Sequence, residues 1–165
     1  MDELSTRSFD SGRPSVLIVD DDVGIRRLLT RALNESGYST DSAENGAEAV
    51  KKTNERYYNL ALIDIVLPDI SGVELLTKMK PTNPKTRKII MTGNPSLQNA
   101  VEAVNKGADA YIMKPLDMEK VLATLEEQLE KQKKQKNTMV QLIEQGRIRA
   151  RMELLRREST ETDTR

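Results

Sequence analysis

Three aspartates in a row, Asp20, Asp21 and Asp22, follow directly on the apolar run Val16-Leu17-Ile18-Val19. Four consecutive apolar residues read as a buried strand, and carboxylates crowded at its end repel one another and invite a cation. A fourth acid, Asp64, closes a second apolar run, "LALID"; Thr92 closes a third, "RKIIMT"; Lys114 and Pro115 follow a fourth, "ADAYIM". If those strand ends converge, three carboxylates, a hydroxyl and an ammonium share one crevice. Such a set suits a hard cation such as Mg²⁺, bound through oxygen. One carboxylate can then attack phosphorus, with the cation and Lys114 neutralising the transferring phosphoryl group and Thr92 hydrogen-bonding one of its oxygens.

Composition narrows the chemistry from the other side. The 165 residues include no cysteine and no histidine. A thiolate metal site, a disulfide framework and imidazole acid/base catalysis are therefore excluded, and these residues hold no phosphohistidine. The 26 basic and 26 acidic residues cancel, yet unevenly: positions 13–130 hold 15 basic and 18 acidic residues, positions 131–158 hold 9 and 3. No apolar run approaches the roughly 20 residues of a membrane span, and the first residues, "MDELSTRSFDSG", lack the pattern of a secretory signal. The expectation is a cytoplasmic protein of one domain with an appendage.

The elements that would position these groups alternate. Five short runs, "SVLIVD", "YSTDSA", "LALIDI", "RKIIMT" and "ADAYIM", are separated by stretches with apolar residues at helical spacing. The helical positions are Ile25, Leu28, Leu29 and Leu33; Ala47, Val50 and Tyr57; Val73, Leu76 and Met79; then Leu97, Val101 and Val104. Gly37 and Gly107 stand where helices should stop, Ser71 and Ser96 where they should start. Alternation of this kind predicts an α/β fold, a parallel sheet with helices on both faces. Ligands of such sheets collect beyond the carboxyl ends of the strands, where Asp20, Asp21, Asp64, Thr92 and Lys114 stand.

The motifs "VLIVDDD", "LALIDIVLPDISGVELL", "IIMTGN" and "YIMKP", in this order and at these intervals, resemble the receiver domain of two-component response regulators over positions 14–130. The resemblance implies a flavodoxin-like, doubly wound, five-stranded (βα)5 sheet. It implies that Asp64 accepts a phosphoryl group from a histidine kinase or histidine phosphotransfer protein. Asp20, Asp21 and Asp64, with the backbone carbonyl of Val66, would bind Mg²⁺. Thr92 and Lys114 would contact the phosphoryl oxygens, and Tyr111 would swing inward as Thr92 is drawn toward phosphate. Pro115 would follow Lys114 in a bond that is often cis. Gly72 would relieve the turn of the "LPDISG" loop, and Gly93 would leave room for the phosphate. Val66, being apolar, offers no group to orient water and implies slow loss of phosphate; Asn94 holds the other position that governs water access. Asp22, beyond the usual acidic pair, is expected to face solvent or cap the next helix, and the alternative for the Tyr111 hydroxyl is contact with solvent alone.

The implied function is a phosphorylation-dependent switch, catalysing only its own phosphoryl transfer and dephosphorylation, with no recognisable DNA-binding or enzymatic output domain. Two alternatives stand beside it. A phosphorelay shuttle would pass the phosphoryl group onward from Asp64. A haloacid-dehalogenase-like phosphatase would use Asp20 and Asp22 of "DDDVG" as nucleophile and acid/base, but Gly24 stands where threonine is expected and Asp64 would lack a role.

After the domain, Val121, Leu122, Leu125 and Leu129 make an apolar stripe suited to docking on the sheet. "EKQKKQKNT" contains no apolar residue and is expected to be a solvated connector. Met139, Leu142, Ile143, Ile148, Met152 and Leu155 then resume a helical pattern, with Gly146 a weak point. A basic helical extension over 131–158, as one or two helices, is the expectation, with disordered ends at 1–13 and 159–165. Its apolar positions favour a downstream protein partner or a homodimer through the last helix. Its arginines leave nucleic acid or anionic lipid as the lesser option.

Overall fold

The computed structural model describes residues 12–94 and 96–162; the N-terminal stretch expected to be disordered therefore lies outside the described residues but for Gly12 and Arg13. Five parallel strands, β1 (Ser15–Val19), β2 (Ser39–Ala43), β3 (Leu60–Asp64), β4 (Arg87–Thr92) and β5 (Ala110–Met113), lie in the order β2-β1-β3-β4-β5. Between them run α1 (Val23–Glu35), α2 (Gly46–Glu55), α3 (Gly72–Lys78) and α4 (Leu97–Asn105), and α5 (Met118–Thr162) follows β5. This is the flavodoxin-like, doubly wound α/β fold that the alternation predicted.

The apolar strands are continuous because both sheet faces are covered. Leu17, Val19, Ala61, Ile63 and Ile90 point to one face and pack with Ala49 of α2, Val73, Leu75 and Leu76 of α3, and Ala103 of α4. Their neighbours Val16, Ile18, Leu60, Leu62, Ile89 and Met91 point to the other and pack with Leu29 and Leu33 of α1 and Val121 and Leu125 of α5. Fully burying each such leucine or isoleucine contributes about 1.5–3 kcal/mol, which fixes the register and with it the level of every strand end. The two edge strands, polar β2 and short β5, remain half-buried.

Helix ends follow the expected chemistry. Asp22 caps α1, accepting hydrogen bonds from the N–H groups of Gly24 and Ile25; Ser71 and Ser96 cap α3 and α4. Gly37 and Gly107 take positive φ after α1 and α4, where a side chain would be strained.

Several expectations are corrected. The buried face of α2 is Gly46, Ala49 and Thr53, with Ala47 exposed and Tyr57 beyond the helix. On α4, Ala103 is buried while Val101 and Val104 are exposed, because the short helix turns its smallest side chain to the sheet. Gly72 does not have the left-handed φ of a strained turn; it is required because a Cβ there would collide with the Asp64 backbone. The region beyond Glu130 is one unbroken helix through Gly146 to Thr162, so residues 159–162, expected to be irregular, are helical.

The connector is also not wholly solvated. Gln132 is 3% exposed and fully engaged: the two hydrogens of its amide nitrogen are shared among the Tyr57 hydroxyl and the carbonyls of Asn59 and Lys85, and its oxygen accepts from Asn59 Nδ2. Gln128 and Gln135 accept from the Arg87 guanidinium at 3.0 and 3.4 Å. These glutamines prolong the docking face of Val121 and Leu125 with hydrogen bonds in place of apolar contact. They clamp α5 under the N-terminal edge of the sheet, opposite the acidic edge.

Candidate functional site

The strand order reverses between β1 and β3, and their carboxyl ends stand side by side: Val19 pairs with Ile63, so Asp20 and Asp64 come level. Thr92 ends β4 next to Met113, the last residue of β5, and Lys114 follows at once. The sheet thus gathers the predicted residues at one edge.

Asp20 is fully buried and Asp64 7% exposed, while Asp21 is exposed. One oxygen from each of these three carboxylates lies within 4.8 Å of the others. The Lys114 ammonium donates to Asp20 Oδ2 at 2.9 Å and to Asp64 Oδ2 at 3.1 Å. The remaining oxygens are held from the backbone: Asp22 N–H donates to Asp20 Oδ1 at 2.9 Å, and Val66 N–H to Asp64 Oδ1 at 3.2 Å. Arg26 donates to the Asp20 carbonyl at 2.7 Å and so fixes the turn that aims the acidic pair.

Burial, then the charge of Asp20, pushes the Asp64 carboxyl above its ordinary range, against the lowering by Val66 N–H and Lys114. Burial pulls the Lys114 ammonium down, but the hydrogen bonds and charge of Asp20 and Asp64 outweigh it and raise the group overall. Two negative charges facing one positive leave an electron-rich oxygen set, the donor chemistry that a hard divalent cation requires.

Thr92 is buried, with its hydroxyl accepting from Asn94 N–H at 3.2 Å. Gly93 beside it leaves open space toward Lys114: a Cβ there would stand 4.0 Å from the lysine Cβ. The Lys114–Pro115 peptide is cis. Tyr111 is partly buried against the α2–α3–α4 side of the sheet, and its hydroxyl is buried with no hydrogen-bond partner among the described residues. Of the two expectations for that hydroxyl, the alternative of solvent contact does not hold: it is buried. Val66 is 72% exposed at the mouth of the site.

Sequence reasoning missed Arg26 and the glutamine clamp. The clamp had a signal, since Gln128, Gln132 and Gln135 recur at helical spacing in line with Leu125; Arg26 is one of several arginines on α1 and had none.

Comparison with known proteins agrees with this geometry. Residues 16–126 match the family model described as response regulator receiver domain. The transcriptional regulatory protein ZraR of Klebsiella oxytoca is 40% identical over 114 residues, covering 69% of this chain but 26% of ZraR, so the chain spans only the receiver part of that relative. A CheY-like receiver domain protein from Methanospirillum hungatei superposes with a TM-score of 0.71 at 41% identity, covering 74% of this chain and 98% of that one. A response regulator from Burkholderia pseudomallei, solved with a phosphorylated aspartic acid, calcium ion and citrate, is 32% identical with a TM-score of 0.62, covering 67% of this chain and 65% of its own. Among the described residues no helix is long and apolar enough to cross a membrane. The chain belongs to the response regulator receiver domain family, the signal-receiving modules of two-component systems.

Proposed function

We propose that this chain is a phosphorylation-dependent signalling switch of the cytoplasm, with Asp64 as phosphoryl acceptor. The observation that carries the reading is the Lys114 ammonium hydrogen-bonded to both Asp20 and Asp64 within a cluster of three carboxylates at the switch point of the sheet. The donor is the phosphohistidine of a kinase or phosphotransfer protein: its P–N bond breaks as a bond forms from phosphorus to an Asp64 carboxylate oxygen. Asp20, Asp21 and Asp64, with the Val66 carbonyl, would hold Mg²⁺, which supplies charge neutralisation at the phosphoryl group. The Burkholderia structure, with its phosphorylated aspartic acid and calcium ion, supports both assignments by likeness.

Lys114 is already placed against the acceptor and needs only to follow the charge from carboxylate to phosphate. Thr92 supplies a buried hydroxyl to a phosphoryl oxygen, giving up its bond to Asn94 N–H. Tyr111 then gains the space that Thr92 leaves, and its unpartnered hydroxyl gains a reason to change environment. Val66, exposed and without a polar side chain, leaves the acyl phosphate slow to hydrolyse. Catalysis is confined to the chain's own phosphoryl transfer and dephosphorylation.

The output surface is the α4–β5–α5 side, where Val101, Val104 and Met113 are more than half exposed, together with the extension beyond Gln132. Met139, Leu142, Ile143, Ile148, Met152 and Leu155 are all about half exposed or more, as on a helix that meets a protein partner or a second copy. We place the receiver at 14–130 and the partner-binding helix at 131–158, with Gln132 joining the two. Intact mass after incubation with Mg²⁺ and acetyl phosphate tests the acceptor: one labile phosphoryl group on the wild type and none on Asp64→Ala is expected. An adduct on both proteins, or a folded wild type with none, overturns the assignment.

A further inference from the structure

The first turn of a helix leaves N–H groups without intrahelical partners. On α2 three of these groups find partners, by an unusual route. Asn45, the N-cap, takes the Glu48 N–H at 2.8 Å. The Gly46 and Ala47 N–H groups instead donate to the two carboxylate oxygens of Asp69, both at 2.8 Å, from 23 and 22 residues away in sequence. Asp69 Oδ1 also accepts from Ile70 N–H at 3.0 Å. These backbone donors hold the Asp69 carboxyl below its ordinary range.

Asp69 lies in the loop between β3 and α3, the loop that also contains Val66. That loop is pinned at its base: Gly72 N–H donates to the Ile65 carbonyl at 2.8 Å, and Val66 bridges to Ser71. Its tip bears the exposed residues Pro68 and Asp69, between Leu67 and Ile70, which pack on the core. Gly46 lets it come close, since a Cβ there would lie 2.5 Å from Ile70 Cγ1. The carboxylate of Asp69 thus ties the tip to α2, the helix that packs beside α3 on the same face of the sheet.

We propose that Asp69 is a positioning residue of the acidic site: by docking the β3–α3 loop on the N-terminus of α2, it sets where the Val66 backbone stands beside Asp64. The proposal rests on the reading of Asp20, Asp21, Asp64 and the Val66 carbonyl as the Mg²⁺ site. Side chains of aspartate on the cation are untouched by the change, so the effect falls on the one backbone ligand and on the N–H that holds Asp64 Oδ1.

The test is Mg²⁺ titration of the full chain by calorimetry, with amide hydrogen exchange by NMR, on the wild type, Asp69→Ala and Asp69→Asn. Asp69→Ala is expected to weaken Mg²⁺ binding by roughly tenfold, the scale on which groups that orient metal ligands act. Exchange should accelerate at Gly46 and Ala47 and also at Val66 and Gly72. Asp69→Asn, which keeps one acceptor oxygen, should recover part of the affinity and guards against misfolding of the alanine variant. Unchanged Mg²⁺ affinity in a folded Asp69→Ala, or faster exchange confined to Gly46 and Ala47, overturns the positioning role. A wild type that binds no Mg²⁺ overturns the underlying metal-site reading and the proposal with it.

Discussion

Gln132 and Asn59 exchange two hydrogen bonds across the underside of the sheet: Asn59 Nδ2 donates to Gln132 Oε1 at 3.0 Å, and Gln132 Nε2 donates back to the Asn59 carbonyl at 3.0 Å. Asn59 Oδ1 in turn accepts from the Ser15 N–H at 2.9 Å, so the helix is joined through one asparagine to the start of β1. Gln132→Ala leaves the Lys85 carbonyl and the Asn59 side-chain amide short of a partner, while the Asn59 carbonyl keeps the Arg87 N–H. Unsatisfied buried groups cost about 1–3 kcal/mol. Urea denaturation should show a loss of that size, whereas Gln141→Ala, on the exposed part of the same helix, should stay within about 0.5 kcal/mol.

The contrast between this clamp and the rest of the fold shows what a sequence displays. Strands β1 and β3 and the Ile89–Met91 stretch of β4 were legible because burial on both faces makes them apolar, and much of the site followed because Asp20, Asp64 and Thr92 end or follow such runs. Val101 and Val104 misled because helical spacing marks an apolar face without saying whether the domain or a partner covers it. Asp69 was illegible, and Gln132 was marked only by its helical spacing, for another reason: each satisfies backbone or amide groups distant in sequence, and a polar residue at the surface or in a connector has the same letter whether it binds water or protein. Gly72 was marked by the motif, but its cause, backbone approaching backbone at Asp64, exists only in three dimensions.

The environment of Asp64 has a signature in pH. Its carboxyl is raised by burial and by Asp20, so the folded state prefers the protonated form relative to the unfolded chain. A raised pKa contributes stability that is present below the unfolded value and lost as pH rises through the folded one. At neutral pH the ionised Asp64 is therefore a cost, and Asp64→Asn should have a higher Tm than the wild type in the absence of divalent cations. The advantage should fade as pH falls through the carboxylate range. Added Mg²⁺ should reverse the order at pH 7, stabilising the wild type by about 2.7 kcal/mol at a hundred times its Kd and the variant far less. Thermal melts at pH 4 and 7, with and without Mg²⁺, measure all of this; a wild type more stable than Asp64→Asn at pH 7 without metal would sink it.

Removing the Tyr111 hydroxyl should behave unlike most Tyr→Phe changes. A buried hydroxyl that is hydrogen-bonded contributes about 0.5–1.5 kcal/mol net, while one without a partner has a desolvation cost. Among the described residues the Tyr111 hydroxyl is of the second kind. Tyr111→Phe should leave the unphosphorylated protein as stable as the wild type or more so by about 1 kcal/mol, and Tyr58→Phe provides the opposite control. The Tyr58 hydroxyl donates to Asp41 Oδ2 at 2.7 Å, and its loss should destabilise. Equal destabilisation by both substitutions in denaturant titrations would show that Tyr111 has a partner after all.

Gly72 and Gly146 receive opposite predictions from the same substitution. At Gly72 an added methyl would meet the carbonyl of Asp64, which cannot retreat without moving the acceptor residue itself. At Gly146 nothing lies within 4 Å and the φ is ordinary, so alanine gains its helix propensity, about 1 kcal/mol, at no steric cost. Gly146→Ala should raise helicity at 222 nm and make the extension harder to melt, leaving phosphorylation at the other end of the molecule unaltered. Gly72→Ala should destabilise the domain by more than about 2 kcal/mol, at the upper end of the usual range, because the colliding atoms are backbone. It should also slow labelling by acetyl phosphate, because any relief of the collision shifts Asp64 relative to Lys114. A Gly72→Ala protein with wild-type stability and labelling rate would mean that α3 can slide away from β3 freely, and the short Gly72–Asp64 approach would then have no part in fixing the site.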